Sequence, residues 1–404
     1  MLPMDLEILK PLIKSAETKI VFLVIDGLGG LPRQSDNKTE LEAAYTPNLD
    51  NLAKNGICGL QQPVGTGITP GSGPGHLGLF GYNPLQYKVG RGVLAAHGIG
   101  FELQPGDVAA RGNFCTIDQQ GNVTDRRAGR ISTEKNQELC TILNTITLPD
   151  ANIYLQTVKE HRFLLILRAN NLSGNIFDTD PQQTGVQPKQ PQASTANAQH
   201  TVTLINEFLN QAKTKLANHH PANMVLLRGF STKPDWPTIK QAFGLTGAAI
   251  AGYPMYRGVA KLIGMDVLET SDSIQDKITT LEKNWNTYDF FYLHIKKTDS
   301  AGEDGDFQRK VSVIEETDKE IPKLLALKPD VLIVTGDHST PSTMKAHSWH
   351  PVPVLLSSPL CRPDNVQEFT ERACLTGGLG NRLPAKELML LALAHAQRLD
   401  KYGA

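Results

Sequence analysis

Acidic and histidine side chains flank several apolar segments of the chain, and their types are those of metal ligands. The residues concerned are Asp26, Asp299, Glu303, Asp337, His338 and His347. Taken one at a time, such an aspartate usually caps a helix, and such a histidine usually belongs to the surface or the core. Brought together, these groups repel one another unless a cation lies between them, and mixed carboxylate and imidazole ligation suits Mn²⁺, Zn²⁺ or iron better than Ca²⁺. The residue types therefore predict a metal site, provided that the fold gathers them.

A glycine-rich segment with a central serine predicts a second kind of chemistry. Seven glycines occur between positions 65 and 81, around Ser72. At the start of a helix, the free backbone N–H groups of such a turn can bind an anion, and metal coordination can make a serine hydroxyl a nucleophile. His76 is the histidine close enough in sequence to serve Ser72 as a base. The segment lacks the lysine of a Walker A loop and the partner order of a hydrolase elbow, and a flexible loop with a surface serine is the simpler alternative.

Apolar runs beside these residues predict the elements that would position them. Four runs have the length and composition of buried strands, at 19–27, 290–295, 331–337 and 352–358. A helical pattern lies between the second and third runs, and the segment 46–60 contains a helix closed by Gly56. Strands that alternate with helices and end in polar residues are typical of an open α/β sheet, which binds ligands at the carboxyl ends of its strands. We therefore expect the candidate ligands to converge at one edge of a sheet.

Residues 87–245 differ from the rest of the chain in their residue pattern, which shows arginine-bearing turns and two clear strands. We predict that they form an inserted α+β domain. The core is then discontinuous and made of residues 1–86 and 246–404. The weakly hydrophobic segment 180–199 is either a flexible linker or an ordered substrate loop.

Composition excludes several classes of protein. The chain has 404 residues and a mass of 44.1 kDa, which suits two domains or one large domain with an insertion. Its 40 Lys and Arg against 41 Asp and Glu give a net charge of −1, which argues against nucleic-acid and anionic-membrane partners. The five scattered cysteines favour a reducing compartment over a disulfide framework. Because there is neither a signal-peptide pattern nor a run of about 18 apolar residues, the sequence predicts a cytoplasmic protein and leaves its oligomeric state open.

The order of these motifs resembles the alkaline-phosphatase superfamily and, within it, the cofactor-independent phosphoglycerate mutases of the archaeal type. Matching segments include VIDGLGGLP, TPGSGPGHLGLFGYNP, TDRRAGRI, YRGVAKLIGM and KKTDSAGEDGDF, and the matches span nearly all of the chain. The resemblance implies an α/β fold with an alkaline-phosphatase-like three-layer core, a mostly parallel sheet and an inserted α+β lid domain. It also implies a small-molecule substrate, phosphoglycerate, and independence of 2,3-bisphosphoglycerate.

The resemblance further implies two divalent metal ions. One would be held by Asp26, Ser72, Asp337 and His338, and the other by Asp299, Glu303 and His347. The commoner family pattern has histidine where this chain has Glu303. A carboxylate makes the ligand set harder, so we expect Mn²⁺, with Mg²⁺ or Zn²⁺ as alternatives. His347 rather than His350 matches the family position, because Trp349 and the Pro-Val-Pro run align with the family motif.

The implied reaction interconverts 3-phosphoglycerate and 2-phosphoglycerate, in glycolysis and gluconeogenesis, through a phosphoserine at Ser72. A substrate with a carboxylate and a phosphate suits arginine, whose planar charged group binds either in a bidentate way. The candidate substrate-binding residues are Arg91, Arg126, Arg127, Arg130, Arg162 and Arg257, with Arg228 as a further candidate. A surface position is the plainer alternative for at least two of them. Asp178 and Asp180 either bind a substrate hydroxyl or cap a turn.

Two other functions share these motifs. A phosphatase, phosphodiesterase or other phosphotransferase of the same superfamily would use the same metal core, so the core alone does not choose between reactions. A non-catalytic, metabolite-binding relative is the third possibility. Such a relative is expected to have lost Ser72 or a ligand, whereas all of them are present in this chain.

Overall fold

The computed structural model describes residues 9–403. Its strands are β1 (Ile20–Ile25), β2 (Ile57–Gln62), β3 (Val108–Ile117), β4 (Val123–Asp125), β5 (Asn152–Lys159), β6 (Arg162–Arg168), β7 (Met224–Thr232), β8 (Gly247–Ile250), β9 (Asp266–Val267), β10 (Phe290–Ile295), β11 (Val331–Thr335), β12 (Val352–Ser357) and β13 (Leu383–Pro384). Its α-helices are α1 (Glu40–Ala43), α2 (Pro47–Asn55), α3 (Ser72–Leu79), α4 (Arg91–Gly98), α5 (Thr133–Leu143), α6 (Gln199–Leu216), α7 (Ile239–Phe243), α8 (Pro254–Leu262), α9 (Ile274–Lys283), α10 (Lys297–Asp304), α11 (Phe307–Ala326), α12 (Glu371–Cys374) and α13 (Leu388–His395). Short 3₁₀ helices lie at Lys10–Leu12, Ala128–Arg130, Ala196–Ala198 and Ala385–Glu387.

The chain divides into two compact units, each with its own sheet. Among the described residues, unit 1 comprises 9–88 and 236–403, and unit 2 is Val89–Asp235. Across residues 9–403, no helix has both the length and the apolar character needed to cross a membrane.

The sheet of unit 1 has eight strands in the order β13-β2-β12-β11-β1-β10-β8-β9. β1 pairs in parallel with β10 and β11, and β8 pairs in parallel with β10 and β9. β12 is antiparallel to both of its neighbours, β11 and β2. The sheet is therefore mostly parallel with one reversed strand, which confirms the predicted fold class.

Unit 1 forms three layers because both faces of its central strands are apolar. All six residues of β1 are buried. Val21, Leu23 and Ile25 belong to the core that β1 shares with α2, α9 and α11. On the other face, the Tyr292 ring of β10 lies 4.9 Å from the Phe80 ring, just after α3. Helices thus cover the sheet on both sides, as a sheet of this kind requires.

Strand pairing brings the functional segments to one edge of this sheet. Ile25 pairs with Ile295, and Val24 pairs with Thr335, so β1, β10 and β11 end side by side. Because β12 runs in the opposite direction, its first residues lie at this same edge, and His347 shortly precedes them. The apolar pattern of β12 predicted a strand but did not reveal its direction.

Close packing at this edge depends on two glycines. α3 begins at Ser72, as the glycine-rich segment predicted. A side chain on Gly75 would place its Cβ 2.3 Å from the carbonyl oxygen of Asp337. Gly27 has a φ of +65°, and a Cβ there would lie 2.7 Å from Thr340 Oγ1. Only glycine lets α3 and the turn after β1 come this close to the segment after β11.

Unit 2 is an antiparallel sheet covered by helices. β3 lies between β6 and β7, with β5 beside β6 and β4 at the end of β3. Phe114, Phe163 and Phe208 are fully buried in its core, together with apolar residues of α5 and α6. Segment 180–199 is tied to this unit by backbone hydrogen bonds, such as Val123 N–H to the Val186 carbonyl at 2.9 Å. Of the two alternatives for this segment, the structure therefore shows the ordered loop.

Candidate active site

His338 lies at the centre of the predicted ligands in unit 1. Its Nε2 atom is 3.4 Å from Asp26 Oδ1, 3.2 Å from Asp337 Oδ2 and 3.1 Å from Ser72 Oγ. Asp26, Asp337 and His338 offer three ligand atoms within 4.8 Å of one another. Asp299, His338 and His347 form a second such group. We call these five residues the ligand cluster.

His338 belongs to both groups of candidate ligands, whereas the sequence predicted it only for the group that contains Asp26 and Asp337. The imidazole rings of His338 and His347 are stacked, with centroids 3.7 Å apart. Glu303 is the predicted ligand that lies furthest out. Its Oε1 atom is 3.8 Å from His347 Nε2, its side chain is 56% exposed, and among the described residues it stands outside both groups.

Hydrogen bonds orient the two histidines. His338 Nδ1 is 2.8 Å from Thr340 Oγ1, and this hydroxyl donates to Asp299 Oδ1 at 2.9 Å. The Thr340 hydroxyl must then accept the His338 Nδ1–H, which leaves the Nε2 lone pair facing the ligand cluster. His347 Nδ1–H donates to the Pro70 carbonyl at 2.9 Å, which likewise directs its Nε2 toward Asp299. Partners of this kind fix the tautomer and orientation of metal-binding histidines.

The electrostatics of the cluster favour a bound cation. Burial lowers the pKa of His338 to about 3, so its imidazole is neutral. Burial and the nearby Asp26 raise the pKa of Asp337 well above its ordinary value. Burial also opposes ionisation of Asp299, but the hydrogen bond with His347 and the charge of Lys296 outweigh it and lower the pKa to about 2.

Two buried carboxylate oxygens indicate whether these residues are suited to bind a metal ion. Asp26 Oδ1 and Asp337 Oδ2 are buried and accept no hydrogen bond within the described chain. The nearest nitrogen of His76 is 3.2 Å from Asp337 Oδ2, but its N–H donates to the Ser72 carbonyl at 2.8 Å. A buried acceptor without a donor is costly, and a divalent cation between these oxygens would satisfy both. The donor set therefore fits a metal such as Mn²⁺ or Zn²⁺.

The contacts of Ser72 differ from those that its sequence neighbours predicted. His76 contacts the backbone carbonyl of Ser72 rather than its hydroxyl, and it is fully buried. Burial lowers the pKa of His76 to about 4. The Ser72 hydroxyl instead faces His338. The helical turn between the two residues directs the His76 ring at the Ser72 backbone, so His76 does not contact the hydroxyl that it lies closest to in sequence.

Lys296 is a site residue that the sequence analysis missed. Its Nζ atom is 3.3 Å from Asp26 Oδ2 and makes a closer ion pair with Asp299. Burial opposes its charge, but Asp26 and Asp299 outweigh this and raise the pKa of Lys296. The signal that would have found it is its place directly after β10, three residues before the predicted ligand Asp299.

Unit 2 contains a separate cluster of positive charge, which we call the arginine cluster. The cluster consists of four arginines whose charges lower the pKa of His161. They are Arg111, Arg127, Arg130 and Arg162. His161 is 2% exposed, and burial together with these charges lowers its pKa to about 4. Three of the predicted substrate-binding arginines thus lie around one histidine, which the sequence did not single out.

The remaining predicted arginines have carboxylate partners or neighbours. Arg126 makes a bidentate pair with Asp180, at 2.9 and 2.8 Å. Arg228 lies 3.4 Å from Asp178 and 3.5 Å from Asp180. Burial lowers the pKa of Arg91, and the charge of Arg228 lowers it further. Both aspartates also accept backbone N–H groups, Asp178 from Gly229 at 2.7 Å and Asp180 from Gln182 at 2.8 Å.

Arg257 belongs to unit 1, where it lies on α8. Its guanidinium pairs with the exposed Glu269 at 2.6 Å. Arg257 therefore belongs to a different unit from the other predicted arginines.

Comparison with known proteins covers nearly the whole chain. The sequence is 49% identical over 409 residues to a protein of Aquifex aeolicus described as a probable 2,3-bisphosphoglycerate-independent phosphoglycerate mutase, covering 99% of this chain and 100% of the relative. The solved structure of a Pyrococcus horikoshii protein aligns with a TM-score of 0.83 at 27% identity, covering 96% of this chain and 100% of the other. A cofactor-independent phosphoglycerate mutase from Thermoplasma acidophilum aligns with a TM-score of 0.71 at 30% identity, covering 94% and 100%.

The family model of 2,3-bisphosphoglycerate-independent phosphoglycerate mutase matches residues 53–223. This stretch joins the Ser72 segment of unit 1 to most of unit 2. The relative from Aquifex aeolicus extends the similarity to both ends of the chain. The chain therefore belongs to the family of 2,3-bisphosphoglycerate-independent phosphoglycerate mutases.

Proposed function

We propose that this enzyme interconverts 3-phosphoglycerate and 2-phosphoglycerate through a phosphoserine at Ser72, at a site that binds two divalent cations. The observation that carries the proposal is the position of Ser72. Its hydroxyl lies at the first residue of α3, 3.1 Å from the neutral His338 imidazole, beside carboxylate oxygens that accept no hydrogen bond from any described residue.

The ligand cluster, together with Ser72 and Glu303, would divide between the two cations. Asp26, Asp337, His338 and Ser72 are proposed for one, and Asp299, Glu303 and His347 for the other. Bound there, the cations would lower the pKa of the Ser72 hydroxyl and neutralise charge on the transferred phosphoryl group. We propose Mn²⁺ as the native ion, because five of the seven proposed ligand residues bind through oxygen.

The protein's own groups perform the transfer. A bond from Ser72 Oγ to phosphorus forms while the bond from phosphorus to the glycerate oxygen breaks, and the proton lost by Ser72 Oγ balances the proton gained by that oxygen. The phosphoserine then returns its phosphate to the other hydroxyl of the same glycerate, with the reverse movement of a proton. The start of α3 adds backbone N–H groups that stabilise the phosphate. Lys296, held between Asp26 and Asp299, keeps part of the carboxylate charge neutralised throughout.

Unit 2 is proposed as the substrate-binding lid. Its arginine cluster offers permanent positive charge to a carboxylate or a phosphate. A mutase must hold glycerate and exclude water while Ser72 is phosphorylated, because water would otherwise hydrolyse the phosphoserine. The lid would supply this retention.

One assay tests the proposed function. The purified enzyme is given 3-phosphoglycerate and Mn²⁺ without 2,3-bisphosphoglycerate, enolase reports 2-phosphoglycerate, and free phosphate is measured in the same sample. Isomerisation that far exceeds phosphate release is expected. Phosphate release without isomerisation would show a phosphatase instead.

A further inference from the structure

The two oxygens of Asp26 have different surroundings. Oδ2 accepts a short hydrogen bond from the Tyr256 hydroxyl and faces Lys296 Nζ at 3.3 Å and His294 Nε2 at 3.2 Å. Oδ1 is buried, accepts no hydrogen bond within the described chain, and lies 3.4 Å from His338 Nε2. One oxygen is therefore fully engaged by protein groups, and the other points into the ligand cluster.

The Tyr256 hydroxyl is held in place by its surroundings. Tyr256 lies in the first turn of α8 and is 1% exposed. Its ring lies 3.9 Å from the ring of His294 on β10 and 4.9 Å from that of His76 on α3. His76 in turn donates to the Ser72 carbonyl. The aromatic contacts therefore connect the hydroxyl that binds Asp26 with the residue that orients the Ser72 backbone.

We propose that Tyr256 is a positioning residue. Its hydroxyl donates a hydrogen bond to Oδ2 of Asp26, so that only Oδ1 is available to a metal ion. Without this hydrogen bond, the carboxylate can rotate about its χ2 bond and offer either oxygen or both. Tyr256 would thus leave Oδ1 as the oxygen of Asp26 that is free to bind a cation. The inference rests on the proposed metal site, but it does not require the mutase reaction.

Tyr292 provides a matched control. It is a fully buried tyrosine of the same aromatic group, with its ring 5.3 Å from that of His76. Its hydroxyl has no hydrogen-bond partner within the described chain. Replacing tyrosine by phenylalanine removes one buried hydroxyl at either position, but only at Tyr256 does it remove a partner of Asp26.

The experiment measures Mn²⁺ binding to the chelator-treated full chain by calorimetry for the wild type, Tyr256→Phe and Tyr292→Phe. Loss of a residue that orients a metal ligand typically weakens binding by about 10-fold to 100-fold. We expect that loss in Tyr256→Phe and wild-type affinity in Tyr292→Phe. Thermal unfolding without metal should differ little between the two variants, since the size of the side chain is nearly unchanged.

Kinetics separates positioning from general damage. In Tyr256→Phe, kcat for 3-phosphoglycerate should fall while KM stays close to the wild-type value. Equal Mn²⁺ affinity in the two variants would overturn the inference, whatever their activity. If the wild type lacks mutase activity but Tyr256→Phe still binds Mn²⁺ more weakly than Tyr292→Phe, the positioning role stands and the proposed function fails.

Discussion

Unit 1 and unit 2 each bury a histidine beside charged side chains, mainly carboxylates in the first and mainly arginines in the second. In unit 1, Asp26 opposes the effect of burial on His338, and the pKa still falls to about 3. In unit 2, the arginines reinforce the effect of burial on His161, and the pKa falls to about 4. Both imidazoles are neutral, but one faces negative potential and the other positive.

This difference indicates what each unit can bind. A neutral imidazole with carboxylate oxygens is a ligand set for a cation. Arginines around a histidine that does not share their charge retain a strong attraction for an anion. Under the proposed function, unit 1 would bind the metal ions and unit 2 would bind the anionic groups of the substrate.

Removal of metal should abolish activity, because the carboxylates of unit 1 then lack the cation that offsets their charge. Dialysis against a chelator is expected to leave no measurable isomerisation, and added Mn²⁺ should restore it at least as well as Zn²⁺. Atomic absorption measured beside the coupled assay checks both points. Reactivation by Zn²⁺ but not by Mn²⁺ would contradict the argument from Glu303.

Ser72→Ala should lower turnover by more than about 100-fold, because the loss of a nucleophile removes the covalent path. The change deletes one oxygen at the first position of α3, so the fold and most of the Mn²⁺ affinity should remain. Steady-state kinetics and calorimetry on the same sample measure the two effects. A variant that keeps more than about one hundredth of the wild-type rate would be incompatible with a phosphoserine intermediate.

Arg127→Lys and Arg130→Lys should weaken substrate retention in unit 2. Each keeps its charge but loses bidentate geometry, and a lost charge-assisted hydrogen bond costs roughly 1.5–3 kcal/mol, so kcat/KM should fall by about 10-fold to 100-fold. More phosphate should be released for each isomerisation. Arg168→Lys is the control, because Arg168 pairs with Asp107 at 2.7 Å, at the end of β6 away from Arg162. Unchanged kinetics and phosphate release in both variants would place the substrate elsewhere.

The smallest effect concerns stability and pH. The pKa of His161 is lowered in the folded protein from 6.5 to about 4, so between these values the unfolded chain binds the extra proton. Stability should therefore fall as the pH drops through this window, and part of that fall belongs to His161. Urea midpoints at pH 7 and pH 5 should differ less in His161→Gln than in the wild type.

The control for this comparison is His200→Gln, since His200 is an exposed residue of α6. In His200→Gln, the urea midpoints at pH 7 and pH 5 should differ by as much as they do in the wild type. An equal difference between pH 7 and pH 5 in all three proteins would mean that His161 can accept a proton among its arginines, and the contrast between the two units would be lost.

Much of the fold could be predicted because its signals are local. The apolar runs of β1, β10 and β11, and the helix start at Ser72, follow from residue pattern alone. The reversal of β12 could not, because the direction of a strand depends on the connections that precede it and not on its own apolar pattern. It nevertheless decides that His347 reaches the same edge as Asp26 and Asp337.

The sequence predicted the candidate metal ligands of the site, but it did not predict the residues that hold those ligands in place. Asp26 and Asp337 stand at strand ends, where polar residues attract notice. Tyr256 and His294 lie on a helix and a buried strand, and in sequence they look like ordinary core residues. Their role depends on a carboxylate from a different strand, at a separation of 230 residues for Tyr256. No local pattern encodes such a pairing.

The most direct test of the proposed chemistry is the location of phosphate on the enzyme during turnover. The enzyme is mixed with 3-phosphoglycerate and Mn²⁺, quenched within one turnover and digested, and the peptides are analysed by mass spectrometry. We expect phosphate on the peptide that contains Ser72, and none on any peptide of Ser72→Ala. Rapid isomerisation by an enzyme that never carries phosphate on Ser72 would contradict this expectation.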